Sequence, residues 1–168
     1  SKNVGKDITV TAALSSGDFV AGSGTATSNY VLPTTASGGI GQITPKALTV
    51  TANAASMSYG DSVLPSLTYG SSGLINGDAI GGSLSTNAQA YNGSAGSASN
   101  VGNYAITQGS LSAGANYTMT YIGADLTVNP VNLTVTATDR TAVYGVSTPL
   151  GTSQFISTGL VNGDVISS

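Results

Sequence analysis

Pro45-Lys46-Ala47-Leu48-Thr49-Val50-Thr51-Ala52 returns 85 residues later as Pro130-Val131-Asn132-Leu133-Thr134-Val135-Thr136-Ala137. The register persists beyond it. Tyr59-Gly60 comes back as Tyr144-Gly145 at the same spacing, and Gly73-Leu74-Ile75-Asn76-Gly77-Asp78-Ala79-Ile80 as Gly159-Leu160-Val161-Asn162-Gly163-Asp164-Val165-Ile166, now 86 apart. One residue has been inserted in between. Ordered matches of this kind define a repeat of about 85 residues, so the 168-residue chain is two periods long and fits two small domains.

Within the quoted stretch Leu48, Val50 and Ala52 alternate with Thr49 and Thr51, the period-two pattern of a half-buried strand. Asp7 to Leu14 alternates in the same way, Ser15 to Asp18 reads as a turn, and Asn29 to Leu32 reads as a second strand. Gly38-Gly39 interrupts the chain before a strand from Ile40 to Thr44, and Pro45 marks a boundary because it cannot donate to a ladder. Ser58 to Asp61 is a turn, Leu67 to Gly70 a strand, and Asn76-Gly77 a tight turn with positive φ, with Leu74, Ile75 and Ile80 closing the end of the core. A short strand at Gly82 to Thr86, a long loop from Gln89 to Asn100, and strands at Asn103 to Thr107, Tyr117 to Tyr121 and Ala124 to Val128 complete the unit, which Asn129-Pro130 closes. No segment carries sustained helical periodicity. The expected class is all-β: small β domains in an elongated tandem array. An immunoglobulin-like sandwich and β-grasp-like sheets both fit the strand count, and the missing helix favours the sandwich. The expected boundaries are 1–46, the second half of one repeat; 47–130, a complete repeat; and 131–168, the first half of the next. Each half either continues a longer array or completes its counterpart on a neighbouring molecule, since an isolated half leaves a sheet edge exposed.

Composition narrows function by exclusion. Only 7% of residues are charged, against about 25% in an average globular chain. The four cations, Lys2, Lys6, Lys46 and Arg140, are scattered and cannot form a nucleic-acid footprint. Eight Tyr and many Val, Ile and Thr suit a pleated surface and argue for a folded chain rather than a disordered one. No apolar run approaches the length of a membrane span, so no membrane insertion is expected from this sequence. Cys, His and Glu are absent, which removes disulfides, thiol nucleophiles and the Ser-His-Asp triad. The seven Asp stand on separate turns and suggest no paired-carboxylate chemistry. The expectation is no enzyme, no catalytic residue, no metal and no cofactor.

The residues with chemical potential have structural explanations. Asp61, Asp78 and Asp164 could ligate calcium, but each stands alone among Gly and Asn, where Asp bonds its own backbone in a turn. The tyrosines could stack on sugars, yet Tyr59 matches Tyr144 and Tyr30 matches Tyr117 by repeat, so their spacing follows packing and hydrogen bonding within the fold. Leu32-Pro33-Thr34-Thr35-Ala36 resembles a sortase signal but is internal and lacks its Gly. Asn92, Asn116 and Asn132 begin Asn-x-Ser/Thr acceptor patterns in a composition where such patterns arise by chance. The Thr-rich strands lack the short Thr-x-Thr ladder of an ice-binding face, and three Lys leave little scope for a Lys–Asn crosslink.

Taken together, Leu48-Thr49-Val50-Thr51-Ala52, Ser58-Tyr59-Gly60-Asp61, Gly73 to Asp78, Val101 to Ile106 and Asn116-Tyr117-Thr118 through Val128 resemble an MBG-type repeat of the Tyr-Gly class. Lys2 to Lys6, Ser28-Asn29-Tyr30 and Ile43 to Val50 resemble the related YDG repeat. Asn3 and Asn29 are 26 positions apart where the matching Asn100 and Asn116 are 16 apart, an excess that suits a YDG unit. The resemblance implies stalk regions of large bacterial surface or secreted adhesins similar to filamentous haemagglutinin. It implies an extracellular structural spacer that projects a distal adhesive region, with neighbouring repeats of the same chain as partners. Two alternatives stay open: a self-assembling fibre subunit joined head to tail through complementary half-repeats, and a module that binds glycans or matrix. Contact with host glycans could also fall to regions outside these residues.

Overall fold

The computed structural model describes residues 3–147 and 154–166; Lys2 lies outside them. The described residues are all-β, with two single-turn 3-10 helices, and divide into two compact units. The first comprises residues 1–47 with 113–118, and the second residues 48–112 with 119–168.

The first unit is built on an antiparallel ribbon of β1 (Gly5–Ala13) and β2 (Thr35–Ile43). The expected break at Gly38-Gly39 is absent: β2 runs straight through it, pairing Gly38 with Val10 and Gly39 with Thr9. Gly39 serves close approach instead. A Cβ on Gly39 would lie 3.1 Å from the Asp7 carbonyl, beside an irregularity where Asp7 takes φ 54°. The strand expected at Asn29 to Leu32 is replaced by a 3-10 turn at Thr27–Asn29. There the Ala26 and Thr27 carbonyls accept locally from the Asn29 and Tyr30 amides, and Val31 finds no sheet to pack on and stays exposed. The other 3-10 turn, Ser16–Asp18, falls where the turn was expected. Asn116 ties 113–118 into this unit: its carbonyl accepts from Lys46 N–H at 2.9 Å and its side-chain Oδ1 from Val4 N–H at 3.0 Å.

Most of β3 (Lys46–Ala52) and of β8 (Tyr117–Ile122) falls in the second unit, where β3 lies between β5 (Tyr69–Ser72) and β8 in a three-stranded sheet. A four-stranded sheet has the order β4 (Ala55–Ser58), β9 (Ala124–Asn129), β7 (Gly102–Thr107), β6 (Ser85–Thr86). The chain leaves β3 and enters the other sheet at β4 after two residues. β4 runs parallel to β9, while β7 is antiparallel to β9 and to β6. The alternation read from the sequence is the one that folds: Leu48, Val50 and Ala52 of β3 and Leu126 and Val128 of β9 are buried, and Ile106, Met57 and Ala88 join the core. The strand expected at Leu67 begins two residues later, and that expected at Gly82 shrinks to a pair. Leu74 and Ile80 are half-buried but Ile75 is 47% exposed, so the Gly73–Asp78 loop does not close the core as a whole. The rest of this unit holds β10 (Thr134–Ala137) and β11 (Phe155–Thr158), an antiparallel pair.

Each unit offers a substitution that checks this packing. Leu126→Ala empties the centre of the core and should cost about 2–5 kcal/mol in urea unfolding. In the first unit, Ser15 N–H and then its hydroxyl donate to Asp18, at 2.7 and 2.9 Å, and hold this carboxyl below its ordinary 3.8. A depressed carboxyl stabilises above its ordinary pKa and loses that contribution as pH falls through the lowered one. The Ser15 amide resonance should therefore titrate below 3.8, and Asp18→Asn should abolish that step.

Candidate functional site: a tyrosine–asparagine joint

Two turns, far apart in sequence, meet in the second unit. The first comes directly after β4. Asp61 N–H donates to the Ser58 carbonyl at 3.1 Å with Gly60 at φ 84°, the signature of a type II turn in which Gly supplies the positive φ. The Asp61 carboxylate accepts from Ser58 N–H at 2.8 Å, so this Asp has the turn-forming role expected of it. Tyr59 N–H donates to the Asn129 carbonyl at 2.8 Å, which holds the corner to the end of β9.

The second turn is Val161-Asn162-Gly163-Asp164. Asn162 and Gly163 have φ of 56° and 74°, and Asp164 N–H donates to the Val161 carbonyl at 2.9 Å, as in a type I′ turn. Asn162 is 3% exposed, the one buried polar side chain among the described residues. A buried amide must have its hydrogen-bonding capacity met. Its Nδ2 donates to the Tyr59 hydroxyl at 2.8 Å, its Oδ1 accepts from Ala98 N–H at 3.0 Å, and its carbonyl accepts from Gly96 N–H at 2.9 Å. The Tyr59 hydroxyl in turn donates to Asp164 Oδ2 at 2.8 Å. Tyr59 and Asp164 are 105 residues apart.

Both turns use glycine where the surfaces touch. A Cβ on Gly60 would lie 2.5 Å from Val161 Cγ2, and one on Gly163 would lie 2.6 Å from Ala95 Cβ. Beside this contact is an apolar cleft of about 210 Å³ lined by Tyr59, Val101, Pro130, Leu133, Leu160 and Val161, among others. The site is a neutral lock with one carboxylate at its edge.

The expected roles divide at this point. Asp164 is not the self-contained turn residue that was expected, since its carboxylate takes a distant phenol. Among the described residues no three acidic groups converge. Tyr104 and Tyr121 behave as expected, donating to the Asn100 and Ile106 carbonyls, each at 2.8 Å. Repeat equivalence does not carry over to burial: Tyr117 is buried but Tyr30 is 65% exposed, and Tyr59 is half-buried whereas Tyr144 is fully exposed. Of the acceptor-pattern asparagines, Asn92 and Asn132 are exposed, while the Asn116 amide is half-buried and engaged by Val4 and Asn3. Sequence reasoning missed Asn162. The available signal was that Tyr-Gly and Asn-Gly-Asp each recur intact across a period in which most positions change.

Comparison with protein families decides what this unit is. Residues 48–127 match the model of the MBG domain, YGX type. This segment belongs to the MBG domain family. The comparisons with curated proteins and with solved structures returned no match. MBG domains are non-catalytic repeat modules found in bacterial surface adhesin-like proteins. The joint therefore fastens the segment after the MBG domain, through Asn162 and Asp164, to the domain's own Tyr59.

Tyr59→Phe strands the buried Asn162 amide and should cost about 1–3 kcal/mol of local stability. Amide exchange at Asp164 should speed up accordingly. Tyr144→Phe, at a fully exposed position, should change stability by less than about 0.5 kcal/mol.

Proposed function

We propose that this chain is a structural spacer of an extracellular bacterial adhesin, surface-bound or secreted, whose repeats hold a distal adhesive region away from the cell. Its working contacts are with neighbouring repeats of the same chain, and the reading assigns no catalytic residue, metal or cofactor. The observation that carries it is the joint. Tyr59 belongs to one period of the sequence and Asn162 to the next, and a hydrogen bond from the buried Asn162 amide links them. A module whose best-built polar site receives its own successor is suited to transmitting position and load along a chain. Repeat architectures draw stability from this kind of nearest-neighbour interface. The membership in a family of surface adhesin-like proteins agrees with this role.

Solution scattering of the full chain tests it. A compact 168-residue globule would have a radius of gyration of about 15 Å. A spacer should give a clearly larger value at monomer mass. A value near the compact one, or a glycan affinity abolished by Tyr144→Ala, would move the assignment to a binding module.

A further inference from the structure

The period relates pairs of strands as well as single motifs. β10 and β11 pair in the register of β3 and β5: Val135 stands opposite Ser157 as Val50 does opposite Ser71, and Ala137 opposite Phe155 as Ala52 does opposite Tyr69. β1 and β2 likewise correspond to β7 and β9, with Gly5 opposite Ile43 as Gly102 is opposite Val128. In the MBG domain the two kinds of pair share one core. Leu48 and Val50 of β3 are buried, and Ala52 packs in one cluster with Ile106 of β7 and Leu126 and Val128 of β9. β4 then lies parallel along the outer edge of β9.

The counterparts of these strands are uncovered. Leu133 is 47% and Val135 53% exposed where Leu48 and Val50 are buried, and Ala137 is exposed where Ala52 is buried. Residues 140–143, the counterpart of β4, are exposed and form no strand. On the other ribbon, Val10 and Ala12 share a face with Gly38 and Ala36 opposite them. With Ile40, which is 83% exposed, they line an open apolar groove of about 300 Å³. Among the described residues β2 has β1 alone as a partner, whereas β9 has β7 on one edge and β4 on the other. The β1–β2 ribbon thus has an apolar face and an unused edge. The β10–β11 ribbon has an apolar strand, followed by a segment suited to that edge.

We propose that β10 and residues 140–143 dock on the β1–β2 ribbon of a second copy of this chain, as β3 and β4 dock on β7 and β9 within the MBG domain. Leu133, Val135 and Ala137 cover the groove at Val10 and Ile40, and 140–143 add a parallel strand to the outer edge of β2. The repeat register places Arg140 opposite Gly41 and Val143 opposite Thr44, as Ala55 is opposite Leu126 and Ser58 opposite Asn129. An unpaired strand edge is a ready template for such addition. Neither β2 nor β10 carries a charged residue to oppose the approach. The docking segment is held at both ends: Arg140 donates to Gln154 Oε1 at 2.6 Å, and Val146 N–H donates to the Val143 carbonyl at 3.0 Å. That restraint lowers the cost of ordering it on binding. Each copy offers one strand and one groove, a heterologous contact that generates open chains rather than closed dimers.

The contact rests on the spacer reading only for its setting, and that reading survives its failure, because spacing is judged at dilutions where the chain is a monomer. Sedimentation of the full chain from micromolar to millimolar concentration tests it. The weight-average mass should at least double across that range, as open head-to-tail growth requires. Amide exchange at 140–143 should slow in step with the mass. Val135→Asp spoils the docking strand and Val10→Asp the groove that receives it. Both positions are about half exposed, so each variant should fold and remain monomeric. An equimolar mixture of the two should form a dimer and grow no further, since one intact strand and one intact groove are left to meet. Ile40→Lys supplies the same block should Val10→Asp loosen the ribbon. An unaltered chain that stays monomeric at millimolar concentration would overturn the proposal. Growth that persists in either variant, or a mixture that remains monomeric, would overturn it too.

Discussion

The parallel pairing of β4 with β9 is the contact on which the rest depends. β9 is the interior strand whose Leu126 and Val128 are fully buried, and β4 lies along it from Ala55 opposite Leu126 to Ser58 opposite Asn129. The ladder continues for one more bond, from Tyr59 N–H to the Asn129 carbonyl. The corner that presents the phenol is thus an extension of β4, held against a strand anchored in the core. A functional side chain carried on a rigid element is held more accurately than one on a free loop. Burial in the core fixes Tyr59, and Tyr59 fixes the Val161–Asp164 turn.

Much of this was legible beforehand. Period-two alternation located β3, β7, β8 and β9, because each has one face turned to a core and β-branched or aromatic residues to fill it. β4 was not legible. Ala55-Ser56-Met57-Ser58 has little strand propensity, and its conformation comes from the partner it lies against. The errors in the first unit have the opposite origin. Asn29 to Leu32 is rich in strand-forming residues but finds no partner strand, and Gly38-Gly39 looks like a break only until the opposing backbone is seen to need the room at Gly39. Propensity is local, and these three decisions were tertiary.

The joint was half legible. Asn-Gly and Tyr-Gly announce their turns through φ requirements that few other residues meet, and both were read as turns. What the sequence hides is that one turn enters the other, because the contact spans more than a hundred residues and involves no charge pair or unusual residue type. Burial distinguishes Asn162 from Asn76, and burial belongs to the assembled chain rather than to the motif.

The segment beyond the MBG domain is attached in two places. The backbone crosses at Pro130, and the hydrogen-bonded turn fastens again at Tyr59. A single covalent crossing lets one body swivel about the next, whereas a second fastening away from it turns the swivel into a brace. Bending at Pro130 is then opposed by the hydrogen bonds of a buried amide. Few of these groups are ionic, so the stiffness of the connection should depend little on the salt concentration of the surroundings.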